Sequence, residues 1–395
     1  MGVSEIKRRL IKKRPLFRMS FSMAVFIGVM IIFLCCSVTS LLHTVPENIV
    51  YLAMLSGMPD SMTEIIKTDF TRFLQQTGYI ENDNDKIFQR DGTVNDIAVR
   101  RQFRDLTVTP DDIAENEAHL KQQYNELDYV SDGEVKEKTY ISYQATDSFE
   151  NVFVRNVTVD SQIDVQGIIE NGCSLPAENI KDPLVLIYHT HSTESYIPFD
   201  NGSFSSSYPE RNNDTAVNMI RVGEEIAAVL TARGIGVIHD TTIYDTVYTG
   251  AYDKSREGVT ALLEKYPSVI ITLDIHRDAI HYDEYSRVKP VAEIDGIKAA
   301  QLMIIAGAEG GNAENFSSWE TNLSFALNLQ KTVNTEYENL MKPVYFCNRK
   351  YNMDLTPYSL LIEVGTDMNT LSEAAYSARL LGDALAGFIK ENAGA

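Results

Sequence analysis

The sequence predicts an α/β domain, a largely parallel sheet flanked by helices, set behind an N-terminal apolar segment and a helical stalk. Three observations lead there. Strand-like and helix-like runs alternate from about residue 150 to the C-terminus, the pattern of a sheet built from strand–helix–strand units. Reactive side chains stand at the ends of three of those strands, where such sheets place their sites. Residues 19–42 carry no charged side chain over a length that spans a bilayer.

The N-terminal elements follow from charge. Residues 1–18 hold Lys7, Arg8, Arg9, Lys12, Lys13, Arg14 and Arg18 against Glu5 alone. They carry about +6, leaving about −26 for the rest of a chain whose formal net charge is −20. The basic flank precedes MSFSMAVFIGVMIIFLCCSVTSLL, so the positive-inside rule predicts a cytoplasmic tail (1–18) and a single-pass anchor (19–42) with the remainder outside. The apolar run exceeds a cleaved signal core, and no small-x-small site follows it. Residues 43–150 are rich in acids, Asn and Gln and read as an extracytoplasmic stalk, helical in part around Ile65, Ile66, Phe70 and Phe73.

The catalytic domain is expected over 151–395. VFVRNVTVD alternates like a strand, and LVLIY (184–188) is a short buried-strand run. A helix follows, with apolar Val217, Met219, Ile220, Val222, Ile226, Val229 and Leu230 on a 3.6-residue period and Gly234 closing it. Next come the strand GVIHD, the helix SREGVTALLEKY and the strand SVIITLDI ending at His276. PVAEI and QLMIIAG are two further strand-like runs. A long helix follows Ser318, then the strand YSLLIEV and a helix from about Asn369.

Composition excludes some functions. A net charge of −20 is wrong for a nucleic-acid binder, which needs basic patches to displace counterions. Two of the four cysteines, Cys35 and Cys36, fall in the apolar segment; Cys173 and Cys347 remain, compatible with one disulfide or two thiols, and no disulfide scaffold is present.

The strand ends carry the chemistry. LIYHTHSTESY supplies His189, His191 and Glu194; LDIHRDAIH supplies His276; LLIEVGT supplies Glu363. A zinc hydrolase needs imidazoles, often one carboxylate ligand, an open position, and a separate carboxylate to take a water's proton. Either His189 or His191 can pair with Glu194. His189 is favoured because it is the first residue off its strand, with a tight turn returning Glu194 and Ser192, Thr193 and Ser195 bonding within it. His191 then stands beside the site, and His276 is the distant second imidazole. Arg277 suits an oxyanion or a substrate carboxylate, and Asp278 suits orienting His276 or the substrate. His281, like Asp278, suits orienting His276 or the substrate, and His239 reads as structural, with no carboxylate motif beyond Asp240.

At these residues the chain resembles a known family. LVLIYHTHSTESY, NMIRVGEEIAAVLTARGIGVIHDTTIYD, ITLDIHRDAI, WETNLSFALNLQKTVN and YNMDLTPYSLLIEVGTDMNT look like successive signature blocks of stage II sporulation protein P, membrane-anchored cell-wall hydrolases of endospore-forming bacteria. The resemblance runs from about residue 150 to the C-terminus. It implies a fold similar to zinc-dependent N-acetylmuramoyl-L-alanine amidases, with Zn²⁺ as cofactor, His189, Glu194 and His276 as its ligands and Glu363 as the catalytic carboxylate. The general amidase pattern makes Asp214, four residues before Asn218, an alternative metal carboxylate; a helix-capping role for it is equally open. Where the family usually reads EVGG, this chain has Glu363-Val364-Gly365-Thr366, and a β-branched residue is poorly suited to φ > 0.

The implied activity is hydrolysis of the amide between N-acetylmuramic acid and L-alanine, and also of peptide cross-links, in thinning septal peptidoglycan during forespore engulfment. The implied partners are proteins of the stage II sporulation protein D and M types. Two other functions fit the same residues: a zinc peptidase or carboxypeptidase of the wall, and a non-catalytic module of the engulfment assembly.

Overall fold

The computed structural model describes residues 106, 109, 111–124, 130–208, 210–311 and 313–394, all within the compact unit Asn82–Ala395. The basic tail, the apolar segment 19–42 and residues 43–105 of the expected stalk lie outside these residues. Among the described residues no helix is long and apolar enough to cross a membrane.

Part of the expected stalk belongs to the folded domain. Helix α1 (Asp111–Tyr124) buries Ile113 and Leu120, and its Glu117 accepts the Ser372 backbone N–H at 2.9 Å. Strands β1 (Gly133–Lys138) and β2 (Asp147–Phe149) enter the two sheets. The polar composition there marks half-exposed strands: β1, between β5 and β8, leaves most of its side chains exposed, and β2 is the edge of the main sheet.

The remaining elements are β3 (Val152–Asn156), α2 (Val165–Asn171), β4 (Pro183–Tyr188), β5 (Ser203–Phe204), α3 (Met219–Ala232), β6 (Gly236–His239), α4 (Ala251–Lys265) and β7 (Ile271–Asp278). Then come β8 (Ser286–Ile294), β9 (Ile297–Ala300), β10 (Leu302–Gly307), α5 (Trp319–Glu336), β11 (Val344–Cys347), β12 (Tyr358–Thr366) and α6 (Leu371–Asn392). Asn218 caps α3 by accepting from Ile220 N, and Thr370 and Glu373 form a reciprocal capping box on α6.

Eight strands form the main sheet in the order β2-β3-β11-β10-β12-β7-β4-β6, and four form a second, β5-β1-β8-β9. Both are mixed, which corrects the expected largely parallel sheet. β12, β7, β4 and β6 do run parallel, but β10 is antiparallel to β12 and β2 to β3. The reason is topological: no helix separates β7 from β8, β9 and β10, so no crossover is available to bring β10 back parallel. β8 and β9 instead form a hairpin through Asp295 and Gly296, both at positive φ.

The two faces of the main sheet are different. Val185, Ile187, Leu273, Ile275, Leu360 and Ile362 belong to the large core, which also takes in residues of α3, α5 and α6. Leu186 and Tyr188 point the other way, into a smaller cluster with Val259 and Leu262 of α4. Cys173 and Cys347 are both buried free thiols, pushed up to about 11 by burial.

The Glu363–Thr366 turn is a β-bulge whose positive φ, +67°, falls on Gly365 and not on Thr366. Thr366 stays extended, its N–H bonded to Asn369 Oδ1 at 2.9 Å and its hydroxyl to the Val288 carbonyl at 2.7 Å. A Cβ on Gly365 would stand 2.4 Å from Asn369 Oδ1 and 2.8 Å from Ala300 Cβ. Gly365→Ala is therefore expected to cost about 2 kcal/mol or more, read as a lower urea midpoint at unchanged slope; an unchanged midpoint would refute this account of the bulge.

Candidate metal centre

Three parallel strands, β4, β7 and β12, deliver the site. Glu363 and His276 are register partners on β12 and β7, so their side chains stand next to each other on the α4 side of the sheet. Asp274, two residues before His276, shares that face. It is fully buried, accepts from both the backbone N–H and the hydroxyl of Thr190 (2.8 and 2.7 Å), and lies 2.8 Å from His276 Nε2. That contact leaves His276 Nδ1 facing Glu194 Oε2 at 3.4 Å.

The turn after β4 brings Glu194 against His276 and not against His189. The Glu194 N–H bonds to the His191 carbonyl at 3.1 Å, Ser192 Oγ to the His189 carbonyl at 2.9 Å, and Ser195 Oγ to the Val217 carbonyl at 3.0 Å. Thr193 donates its hydroxyl to Asp245 at 2.7 Å. His191 is swung toward His276, with ring centroids 5.4 Å apart and planes perpendicular. It is clamped by Tyr248, stacked at 4.6 Å, and by the edge of Tyr252 at 5.5 Å, and its Nδ1 is 3.8 Å from Asp245 Oδ2. Arg211 ties the arrangement together by pairing with both Asp245 and Glu194.

His189 stands elsewhere. It continues the alternation of Val185 and Ile187 and so points to the α3 side of the sheet, away from His276. Its Nδ1–H donates to the Ile275 carbonyl at 3.0 Å, which leaves Nε2 as the acceptor for the Nε2–H of His239, also 3.0 Å away. His239, register partner of Ile187, is on the same side. Gly223 of α3 makes room for the pair: a Cβ there would stand 2.5 Å from the His189 ring. Burial pushes His189 down to about 4 and His239 well below its ordinary range, so both imidazoles are neutral at pH 7. The His189 ring has no nitrogen left to offer a metal.

Other expected residues are also placed apart. The Arg277 guanidinium is occupied by the Ser195 carbonyl (3.0 Å) and the Glu210 carbonyl (2.7 Å), holding the loop and not facing the cluster. Its backbone N–H does reach Glu194 Oε2, at 3.3 Å. Asp214 caps its own turn by accepting from Ala216 N and contacts His119, so it lies outside the cluster. His281 contacts Asp367 at 3.3 Å. Asp278 pairs with Lys342 at 3.2 Å on the rim beside Glu363.

Electrostatics fit a cation. Burial alone would push His276 down, but Asp274 and Glu194 on either side outweigh it, and the imidazole titrates well above its ordinary range. Burial would raise Glu194, yet His276, Arg277 and His191 bring it below the usual carboxylate value. Glu363 is raised to about 8, by burial first and then by the charge of Asp278, and its Oε2 is buried without a hydrogen-bond partner. His191, Glu194 and His276 offer two imidazoles and a carboxylate, donor types a divalent cation takes, with Asp274 2.8 Å from His276, Asp245 3.8 Å from His191, and Glu363 left over. Among the described residues, the group of three potential ligand side chains whose donor atoms all lie within 4.8 Å of one another is elsewhere, Glu137, Asp200 and Glu373, and the buried Lys289 ammonium fills it, 2.8 Å from Asp200 and 2.7 Å from Glu373.

Asp274, Asp245, Arg211 and the aromatic clamp were not anticipated. Asp274 was accessible in principle, since two residues before His276 on one strand means the same face. Asp245 and Arg211 come from irregular loops and leave no periodic signal.

Among solved structures the fold is similar to the N-acetylmuramoyl-L-alanine amidase AmiC2 of Nostoc punctiforme: TM-score 0.32, 15% identity, 54% of this chain and 97% of that one. It is also similar to the CwlD amidase of Clostridioides difficile in complex with the GerS lipoprotein (0.31, 13%, 53% and 99%). A metallo-carboxypeptidase from Burkholderia cenocepacia matches as well (0.30, 9%, 55% and 60%). Stage II sporulation protein P of Bacillus subtilis is 30% identical over 212 residues, 51% of this chain and 49% of that protein, so the chain spans about half the length of the curated relative it matches. The family model for stage II sporulation protein P matches residues 82–386, and the chain belongs to that family.

Proposed function

We propose that this protein is a zinc-dependent peptidoglycan hydrolase that cleaves the N-acetylmuramoyl-L-alanine amide during sporulation. The observation that carries the reading is the buried convergence of His191, Glu194 and His276 beside Glu363, whose carboxylate has no hydrogen-bond partner on its inner oxygen and whose outer side opens on a cleft. Family membership supplies the sporulation context.

The residues that would hold zinc are His191, Glu194 and His276. This revises the ligand set expected from sequence, with His191 in place of His189. Bound there, zinc supplies a Lewis acid that polarises a carbonyl and acidifies a water. Asp274 and Asp245 orient the two imidazoles, and Arg211 fixes Glu194. Glu363 accepts the proton of the attacking water and passes it to the departing L-alanine nitrogen. Burial and the charge of Asp278 raise its carboxyl to about 8, which keeps it able to return that proton.

Cleavage of peptide cross-links, partners of the stage II sporulation protein D and M types, and anchoring through residues 19–42 belong to the same proposal. An acidic chain has no general attraction to an anionic wall, so delivery by an anchor and by partners suits it. A non-catalytic module would have no use for an unligated carboxylate beside an open cleft, which favours an enzyme.

Digestion of purified peptidoglycan by the full chain, with products identified by mass spectrometry, tests the reaction. Free stem peptides are expected, abolished by chelator and restored by zinc. Shortened stems still attached to muramic acid would instead identify a carboxypeptidase, and activity indifferent to chelation would refute the metal. Glu363→Gln is expected to retain zinc while kcat falls by about 10²-fold or more; full activity in that variant would remove its role. Metal analysis separates the two histidines of HTH. His191→Ala, Glu194→Ala and His276→Ala should lose zinc, whereas His189→Ala should keep it and lose about 2 kcal/mol of stability with its hydrogen-bonded pair. Zinc lost from His189→Ala but kept in His191→Ala would reverse the assignment.

A further inference from the structure

Beyond Glu363 the α4-side face of the main sheet continues, uncovered by any helix among the described residues, as a cleft of about 490 Å³. Its floor can be read from strand register. Glu363 pairs with Met303, Ile305 with Tyr345, and Tyr345 with Arg155, so the side chains of these residues stand on one face from β12 across β10 and β11 to β3. Tyr140 and Tyr282, whose hydroxyls are 3.1 Å apart, form a wall.

We propose that this cleft binds the peptide stem of the substrate in extended form, with Arg155 holding a carboxylate about four residues along from the scissile bond. The inference rests on the amidase reading above and names the part of the substrate that occupies the site.

Two cations line the cleft, and they differ. Lys342 is already paired with Asp278 at 3.2 Å. Arg155 makes no ion pair among the described residues; its guanidinium lies 5.5 Å from the Tyr345 ring centroid, which holds it flat at the cleft floor. A planar guanidinium so presented suits a carboxylate, which it can bind through two parallel N–H bonds. The substrate's two halves differ in charge. Once its lactyl carboxyl is coupled to the peptide, muramic acid bears no anion, whereas the stem keeps free carboxylates. The unpaired cation therefore selects the peptide side.

Spacing selects which carboxylate. Glu363 and Arg155 are three strand spacings apart, roughly 14 Å at about 4.8 Å each, and two residues out of line along the strands. The two offsets combine to roughly 16 Å, and an extended peptide advances about 3.4 Å per residue, so roughly four to five residues bridge the distance. A cleft of this volume lies in the range that accommodates such a ligand.

The test uses synthetic N-acetylmuramoyl peptides of two to five residues, each as C-terminal carboxylate and carboxamide, with the zinc-loaded full chain. The carboxylate of the tetrapeptide is expected to have a KM about ten-fold or more below its amide, with kcat little changed and no such difference for the dipeptide. Arg155→Gln should erase that preference, and Arg155→Lys should restore part of it. Calorimetry with the free tetrapeptide should show weaker binding to Arg155→Gln, with circular dichroism confirming the fold. Equal KM for acid and amide in the wild type would overturn the proposal. So would an Arg155→Gln variant that slows both alike, the result expected if the cleft held the neutral glycan. Failure of the wild type to release peptide from any of these substrates would instead overturn the amidase reading, and this inference with it.

Discussion

The site depends on Asp274. This carboxylate is fully buried inside the sheet, a placement that costs several kcal/mol unless every lone pair is used. Here the backbone and hydroxyl of Thr190 take up both oxygens and His276 adds a further contact. Through Thr190 it fixes the first residues of the loop after β4, and through His276 it fixes the imidazole at the end of β7. The two segments that meet at the cluster are thus joined by one side chain. The Thr190 hydroxyl also contacts Ser255 of α4, which extends the anchor to the helix that closes this face.

A sheet with unlike faces follows from the same region. His189 and Thr190 are neighbours on the chain, yet His189 turns into the helix-packed side and Thr190 toward Asp274. The result is two histidine pairs on opposite faces: His189 with His239, dry and neutral, and His191 with His276, framed by acids. Desolvation drives the first pair to neutrality, whereas in the second Asp274 and Glu194 outweigh burial and hold His276 well above its ordinary range. The same residue type therefore packs dry on one side and sits among acids on the other.

Much of this was legible in the sequence. Every major helix of 217–395 and the strands that carry Tyr188, His239, His276 and Glu363 follow from period and caps, and HTHSTES, DIHRD and IEVGT mark the segments that meet at the candidate site. Strand alternation from Val185 and Ile187 assigns His189 to the α3 side, but His191 has the same parity and its different direction is set by the turn after β4, which leaves no periodic signal. Other features leave no local signal. The mixed sheet depends on where the chain goes between β7 and β10, and Lys289 among Glu137, Asp200 and Glu373 joins residues far apart in sequence. Arg211 and Asp245 lie in loops whose course is set by the elements around them.

The central claim is that the metal sits with His191, Glu194 and His276, on the face opposite His189. A crystal structure of the zinc-loaded chain with anomalous scattering collected at the zinc edge measures this directly. The account predicts one strong peak about 2.0–2.2 Å from a nitrogen of His191, a nitrogen of His276 and an oxygen of Glu194, with Glu363 nearby but not bound to it. A peak at His189, a peak among Glu137, Asp200 and Glu373, or no peak in an active protein would contradict it.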